Sequence, residues 1–457
     1  MRKLATALTL IGPVCSALSA QPPAPMTVKQ AVESALRTYP AIRVSQEQMN
    51  AAAAGIRLAQ TAYLPRVDAL AQFNRATRNT FYGLLLPQGI IPGVDGVHAD
   101  NLGSVWDSGV GLLVTWQPFD FGLRRANVAA ATANQARAQA ATARTQYDIS
   151  VATADAFLTV IAAEQTARAA RAAVDSWQVL RRSIHALVNA QLRPGADESR
   201  VEAESALIET QLSQAEQAIA VARANVAAFV GLDPAQVNLN PRHLVDQLPP
   251  EQPTPTLDVR ANPAAREQTA VIAQDQSKLA SLARAYYPQF VLQGMAAARG
   301  TGMQLDGARL GGLNGLAPTV QNYGVGLTVT FPVMDRFSIR EQEAAQTANV
   351  RASQAQYELI AVKLQAQFNT ALATLAGARR VAAATPIQVS AARTAFDQAT
   401  ARYQSGLAPI DGVAQAQRLL VEAQIDDVLA RLNVWRALLE LHTARGDIQP
   451  FLDEAGQ

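Results

Sequence analysis

The sequence predicts an α+β membrane protein of two tandem structural repeats, each joining a pair of membrane-length strands to a long α-helical coiled-coil hairpin. Three observations lead there. A secretory leader is followed by no apolar run long enough for a membrane-spanning helix. Short motifs recur in the same order about 220 residues apart. Very long runs without Gly or Pro alternate with stretches of period-two hydropathy.

The leader spans 1–20. Arg2 and Lys3 give the charged start, Leu4 to Val14 the apolar stretch, and Leu18-Ser19-Ala20 the small-residue cleavage site, with Gln21 as the mature start. The single cysteine, Cys15, lies inside it. Gly12-Pro13-Val14 is a poor lipoprotein signal, so no lipid anchor is expected, and the mature chain has no thiol for a disulfide or metal. Lys+Arg number 39 and Asp+Glu 37; losing Arg2 and Lys3 leaves a formally neutral chain with no basic patch for nucleic acid. Hydrophobic residues make up 49% but aromatics only 5%, so closely packed helices fit better than a bulky core.

The repeats are legible motif by motif. Tyr39-Pro40-Ala41 returns as Asn262-Pro263-Ala264, and Ala62-Tyr63-Leu64-Pro65 as Ala285-Tyr286-Tyr287-Pro288, both offset by 223 residues. Gly109-Val110-Gly111-Leu112 returns as Gly324-Val325-Gly326-Leu327 at 215, and Gly195 as Gly406 at 211. The first repeat covers 21–240: a helix ending at Tyr-x-Pro, a strand pair at 66–76 and 104–117, and a hairpin at 122–230. A Pro-rich linker at 241–262 follows. The second repeat covers 263–446, with strands at 288–299 and 321–332 and a hairpin at 337–445, before a tail at 447–457.

No Gly or Pro occurs from Leu123 to Arg193; a helix of that length would reach roughly 105 Å. Gly- and Pro-free runs also cover Ala196 to Val230, Val333 to Ala376 and Val413 to Arg445, with a looser segment expected around Gly377 and Pro386. Such helices need partners along their length. The strands alternate: Val110, Leu112, Val114 and Trp116 with Gly109, Gly111, Leu113 and Thr115; Val325, Leu327, Val329 and Phe331 with Gly324, Gly326, Thr328 and Thr330. Tyr63, Trp116, Tyr286, Tyr287 and Phe331 mark one end and Trp106 and Tyr323 the other, as two interfacial girdles would. The Gly-rich loops between paired strands suit mobile segments outside the membrane, although Leu84-Leu85-Leu86 and Ile90-Ile91 are unusually apolar.

Four strands cannot close a barrel, and open edges in lipid cost several kcal/mol per unpaired group. Two chains would give eight strands, a barrel filled by its own side chains. Three would give twelve and leave a passage, so a homotrimer is expected if something passes through it.

Enzyme chemistry finds no foothold. His98, His185, His243 and His442 are scattered, Gly307-x-x-x-Gly311-Gly312 does not lead from strand to helix, and no Gly-x-Ser-x-Gly occurs; no cofactor or metal is expected. Asp120 and Asp335 precede long helices and read as caps. The rival to a membrane duct is a soluble periplasmic coiled-coil adaptor, which would have no reason to duplicate amphipathic strands.

The chain resembles the TolC family of outer-membrane efflux proteins over nearly its whole mature length. Thr27 to Pro40 is similar to that family's opening helix, Pro118-Phe119-Asp120-Phe121-Gly122 with Arg124-Arg125 to its strand-to-helix corner, and Arg402-Tyr403-Gln404-Ser405-Gly406-Leu407 with Asp411 to its helix-tip turn. The resemblance implies a homotrimer in the bacterial outer membrane, with a 12-stranded barrel and a helical tunnel reaching into the periplasm. It implies, as partners, a periplasmic adaptor, an inner-membrane pump and outer-membrane lipid. Leu192, Arg193, Gly195, Ala196, Tyr403, Ser405, Gly406 and Leu407 would then form the docking tip, and Asp411 the entrance gate, although Ala414 stands where relatives often carry an acid.

Overall fold

In a computed structural model, residues 25–76, 104–191, 194–251, 256–304 and 308–456 are described. The leader with Cys15, most of the first loop with His98 and Leu84–Ile91, the tip residues Leu192 and Arg193, and Gly307 lie outside them. Two compact units result, and each draws on both repeats: Pro40–Tyr147 with Thr256–Gln367, and Met1–Tyr39 with Asp148–Pro255 and Phe368–Gln457.

The first of these units carries the sheet: β1 (Arg66–Ala76), β2 (Val105–Phe119), β3 (Gln289–Thr301) and β4 (Val320–Thr330), ordered β1-β2-β3-β4 and antiparallel throughout. The observed limits fall within about three residues of those read from alternation. β2 shifts register between Trp116 and Phe119, around Pro118, which has no N–H for the ladder. Beneath the strands lie α2 (Pro40–Thr61), α6 (Pro263–Leu282) and the N-terminal parts of α3 (Leu123–Asn189) and α7 (Asp335–Gln404). Thr142 on α3 donates to the Ser45 carbonyl on α2 at 3.1 Å; Gln268 on α6 donates to the Ser353 carbonyl on α7 at 2.8 Å. Arg144 and Gln274 link α3 to α6. The helices therefore follow the strand order, α2-α3-α6-α7.

The other unit holds α1 (Val28–Thr38), α4 (Gly195–Val230), α5 (Arg242–Asp246), α8 (Ile410–Arg445), α9 (Gln449–Ala455) and the remainders of α3 and α7. Thr27 and Gln30 form a capping box on α1. Phe157, Leu158, Ile161, Trp435, Leu438 and Phe451 are buried. Trp435 donates its indole N–H to the Gln247 carbonyl at 3.0 Å, pinning the segment between the repeats.

Three features differ from the sequence reading. The first helix is two, because Tyr39, preceding a proline, is held extended (φ −69°, ψ 125°). The expected looseness around Gly377 and Pro386 is absent: α7 runs unbroken through both. Proline forfeits one backbone bond, and neighbours on either side hold the helix, among them Thr385, whose hydroxyl donates to Asp427 at 2.7 Å. The described part of the second loop is also folded back. Gly302 donates to the Trp106 carbonyl at 2.9 Å and Thr319 to the Arg299 carbonyl at 2.8 Å. Gly315, at φ +97°, lies where a Cβ would collide with the Trp106 carbonyl, so only glycine fits.

Candidate functional site: the amphipathic sheet and the helical tip

The ladder register assigns every strand residue to a face. One face carries Val67, Ala69, Phe73, Val110, Leu112, Val114, Leu292, Ala296, Tyr323, Val325 and Leu327. The other carries Asp68, Gln72, Asn74, Thr115, Gln293, Asn322 and Thr328, with Leu70, Leu113 and Met295 around Ala297. Most large side chains of the apolar face are exposed in the single chain. An exposed apolar sheet of this extent needs lipid or protein against it. Strands of 11, 15, 13 and 11 residues reach across a bilayer core, which needs roughly 9–11. β1 and β4 each have one edge unpaired among the described residues.

The junction between β2 and α3 is tightly built. Asp120 accepts from the backbone N–H of Gly122 (3.1 Å) and Arg124 (2.7 Å) and from the Arg124 guanidinium (2.8 Å). Burial works against the Asp120 anion, but these three bonds prevail and hold its pKa below the ordinary carboxylate range. Arg124 in turn lies over the Tyr63 ring, 4.8 Å from its centre. Phe121 adopts φ 51°, which is costly for an aromatic residue; its ring stacks on Tyr287 (5.1 Å) and meets Phe119 edge-on (4.6 Å). Trp116 donates to the Tyr63 carbonyl at 3.1 Å, and Tyr286 to Glu343 at 2.9 Å. Phe331 is exposed just beyond β4. The sequence-predicted interface aromatics thus gather at one end of the sheet, with Trp106 and Tyr323 nearer the other.

The helical tip is where α3 turns into α4 and α7 into α8. Trp177 and Ile184 from α3, Val201 and Ile208 from α4, Tyr403 from α7, and Ile410, Val413 and Ala414 from α8 form one buried cluster. Tyr403 therefore corrects the reading that placed it on a docking surface. It is 2% exposed, because its ring fills the cluster, and only its hydroxyl reaches outward, to Asp197 at 3.3 Å. Ala414 is likewise core. Gly195, Ala196, Ser405, Gly406 and Leu407 are exposed. Gly406 sits at φ +75°, where its N–H and that of Leu407 close the end of α7 on the carbonyls of Tyr403 and Arg402.

Charge pairs stitch the two hairpins together. Asp411 on α8 faces Arg200 on α4 at 2.7 Å, with both side chains about half exposed. Arg418 grips both oxygens of Glu204, whose side chain is only 10% exposed. Within the first hairpin, His185 hydrogen-bonds Glu198 at 2.5 Å across the α3–α4 turn. Arg200, Glu204, Asp197 and Arg418 were not singled out from sequence. Their spacing (197, 200, 204 and 411, 418) puts each set on one helix face, but only the register between hairpins reveals the pairing.

No helix among the described residues is long and apolar enough to cross a membrane, and no group of His, Cys, Asp or Glu among them could hold a metal. What remains is a sheet with a lipid-type face and a polar face, joined to long helices: a subunit of an outer-membrane channel. The chain belongs to the outer membrane efflux protein family, whose profile matches residues 31–232 and 260–447. That is a family of transport channels rather than enzymes. Its fold is shared with VceC of Vibrio cholerae (19% identity, 92% of this chain and 96% of that one, TM-score 0.71). It is shared with CmeC of Campylobacter jejuni (13%, 100% and 98%, 0.72). The open state of MtrE from Neisseria gonorrhoeae is similar too (17%, 92% and 89%, 0.68). No curated protein matched the chain.

Proposed function

We propose that three copies of this chain close a twelve-stranded barrel in the outer membrane and conduct substrates passively from the periplasm to the exterior, as the exit duct of a tripartite efflux or secretion system. The observation that carries this is the four-stranded sheet with an exposed apolar face, a polar opposite face and two unpaired edges. In lipid those edges must pair, and copies of the same chain supply the partners. Twelve strands leave the polar face lining a passage. A soluble adaptor has no use for such a sheet.

The tip is the proposed periplasmic entrance. The exposed turn around Gly195–Ala196 and Ser405–Leu407 would receive the adaptor, and the charge pairs behind it would hold the hairpins together. Opening separates α4 from α8, so Arg200–Asp411 and Arg418–Glu204 act as a latch whose breaking accompanies adaptor engagement. The leader at 1–20 and the linker at 241–262 belong to the same reading.

Native mass spectrometry of protein extracted from outer membranes in mild detergent tests it. A trimer that also conducts ions in a planar bilayer supports the duct. A monomer recovered in the soluble fraction after osmotic shock overturns it in favour of the adaptor reading.

A further inference from the structure

In the sheet-bearing unit the internal duplication works as a numbering rule. Adding 223 carries α2 onto α6 without a gap, from Pro40 to Pro263 and from Pro65 to Pro288. Adding 211 carries α3 onto α7. Two equivalent bonds fix this: Thr142 to Ser45 in the first repeat, and Gln268 to Ser353 in the second. Gln268 lies 223 after Ser45, and Ser353 lies 211 after Thr142.

Within one chain, α3 also meets α6, by three polar rungs. Ser281 bonds Asn127; Gln274 donates to Asn134 at 2.8 Å; Arg144 pairs with Glu267 at 2.9 Å. The α6 positions, 267, 274 and 281, are seven apart and share one helix face. The numbering rule moves these rungs to Val44, Ala51 and Leu58 on α2, and to Ala355, Ala345 and Ser338 on α7. Every position but Ser338 is apolar. All six are exposed, Val44 by 57% and Leu58 by 72%. Leu359 and Val362, also exposed, continue the α7 stripe.

We propose that α2 of one copy packs against α7 of the next along this apolar seam, with Val44 opposite Ala355, Ala51 opposite Ala345 and Leu58 opposite Ser338. The inference rests on the channel reading above and names the surface by which its copies join. The occupant is a second copy because the chain contains its own template: the α3–α6 seam closed within the chain is the seam that α7 and α2, the outermost of these helices, lack. The same displacement brings the free edges of β4 and β1 together. The change of chemistry has a physical reason. The inner seam is closed by a chain that already holds its helices near one another, so polar rungs suffice. Between chains, association must offset lost translational and rotational freedom, and apolar burial does so without leaving unpaired charges on the free subunit.

Two sets of variants test the seam in outer membranes. Ala51→Cys with Ala345→Cys, oxidised in place, should run as covalent dimer and trimer on a non-reducing gel, with no trimer from either single variant. Val44→Glu puts a carboxylate against Ala355 and should raise the monomer fraction in detergent by roughly tenfold or more. Adding Ala355→Arg should restore the trimer, because it recreates the Arg144–Glu267 rung between chains. Val44 is exposed in the free chain, so its replacement leaves the subunit able to fold. A native trimer without the cross-link, or with Val44→Glu harmless, refutes the seam while the duct reading stands. Absence of any oligomer removes both.

Discussion

Tyr403→Phe combined with Arg418→Ala should open the proposed entrance without disturbing the barrel. Beside the shared apolar cluster, three polar interactions among the described residues join the hairpins at the tip. Arg200–Asp411 is half exposed and contributes about 0.5 kcal/mol. The Tyr403 hydroxyl on Asp197, at 3.3 Å, contributes about 1 kcal/mol. Arg418–Glu204 has one largely buried and one exposed partner, so screening limits it to about 1–2 kcal/mol. The double variant removes the second and third, roughly 2–3 kcal/mol per chain, which shifts a closed-to-open ratio by about thirty- to a hundred-and-fiftyfold. The Tyr403 ring stays, so the cluster around Trp177 stays packed. Single-channel recording of the purified trimer should show a larger resting conductance. Cells without the pump should become sensitive to large antibiotics that the outer membrane otherwise excludes. Glu204→Arg with Arg418→Glu should return both towards wild type. Unchanged conductance in an intact trimer would refute the latch.

Two further predictions concern the ends of the helices. Asp120→Ala removes two backbone bonds and strands the mostly buried Arg124 guanidinium, so it should cost about 3–5 kcal/mol and lower the trimer's melting temperature, with Asp120→Asn milder. His442, buried on α8, has its pKa held below its ordinary 6.5, first by burial and then by Arg445. The unfolded chain therefore takes up a proton first as pH falls, and stability declines from about pH 6.5 downwards until the folded-state pKa is reached. Thermal melts from pH 7.5 to 5.5 should show this slope, and His442→Gln should flatten it.

The repeat, the strand pairs and the long helices were legible because each rests on a local signal: a copied motif, an alternation, a run without Gly or Pro. Proline was read less well. Pro40 breaks the first helix and Pro386 does not break α7, and the difference is tertiary. Pro40 follows an extended Tyr39 whose ring packs on Phe229, at 5.2 Å between centroids. Pro386 sits in a helix held by α8 on both sides, through Ala382 with Ala430 and Val434, and through Ala392 with Leu420 and Ala423. The tip was legible as a turn, but the Arg200–Asp411 and Arg418–Glu204 pairs between its hairpins were not. Tyr403 looked like a surface residue because it belongs to a turn motif, whereas its ring is the keystone of the cluster beneath. Glycines read as loop flexibility, such as Gly315, serve close backbone approach instead.

The duplication explains more than the strand count. A single unit of two strands and one hairpin can close neither a sheet nor a ring of helices. Two repeats joined in one chain close a single seam, α3 on α6 beneath β2 on β3, and leave its two halves unpartnered at the outer edges. Once duplicated, the halves come under different constraints. The inner one is closed by the chain itself and can keep ion pairs and amide bonds. In the proposed trimer the outer one assembles from separate molecules in a membrane, where strand edges tolerate no gap and the helices need burial to hold the copies in place. Polar rungs at Arg144, Asn134 and Glu267 and apolar residues at the matching Ala355, Ala345 and Val44 are what that division requires. If α2 and α7 did not meet between copies, the single Val44→Glu variant would assemble as well as the pair Val44→Glu with Ala355→Arg.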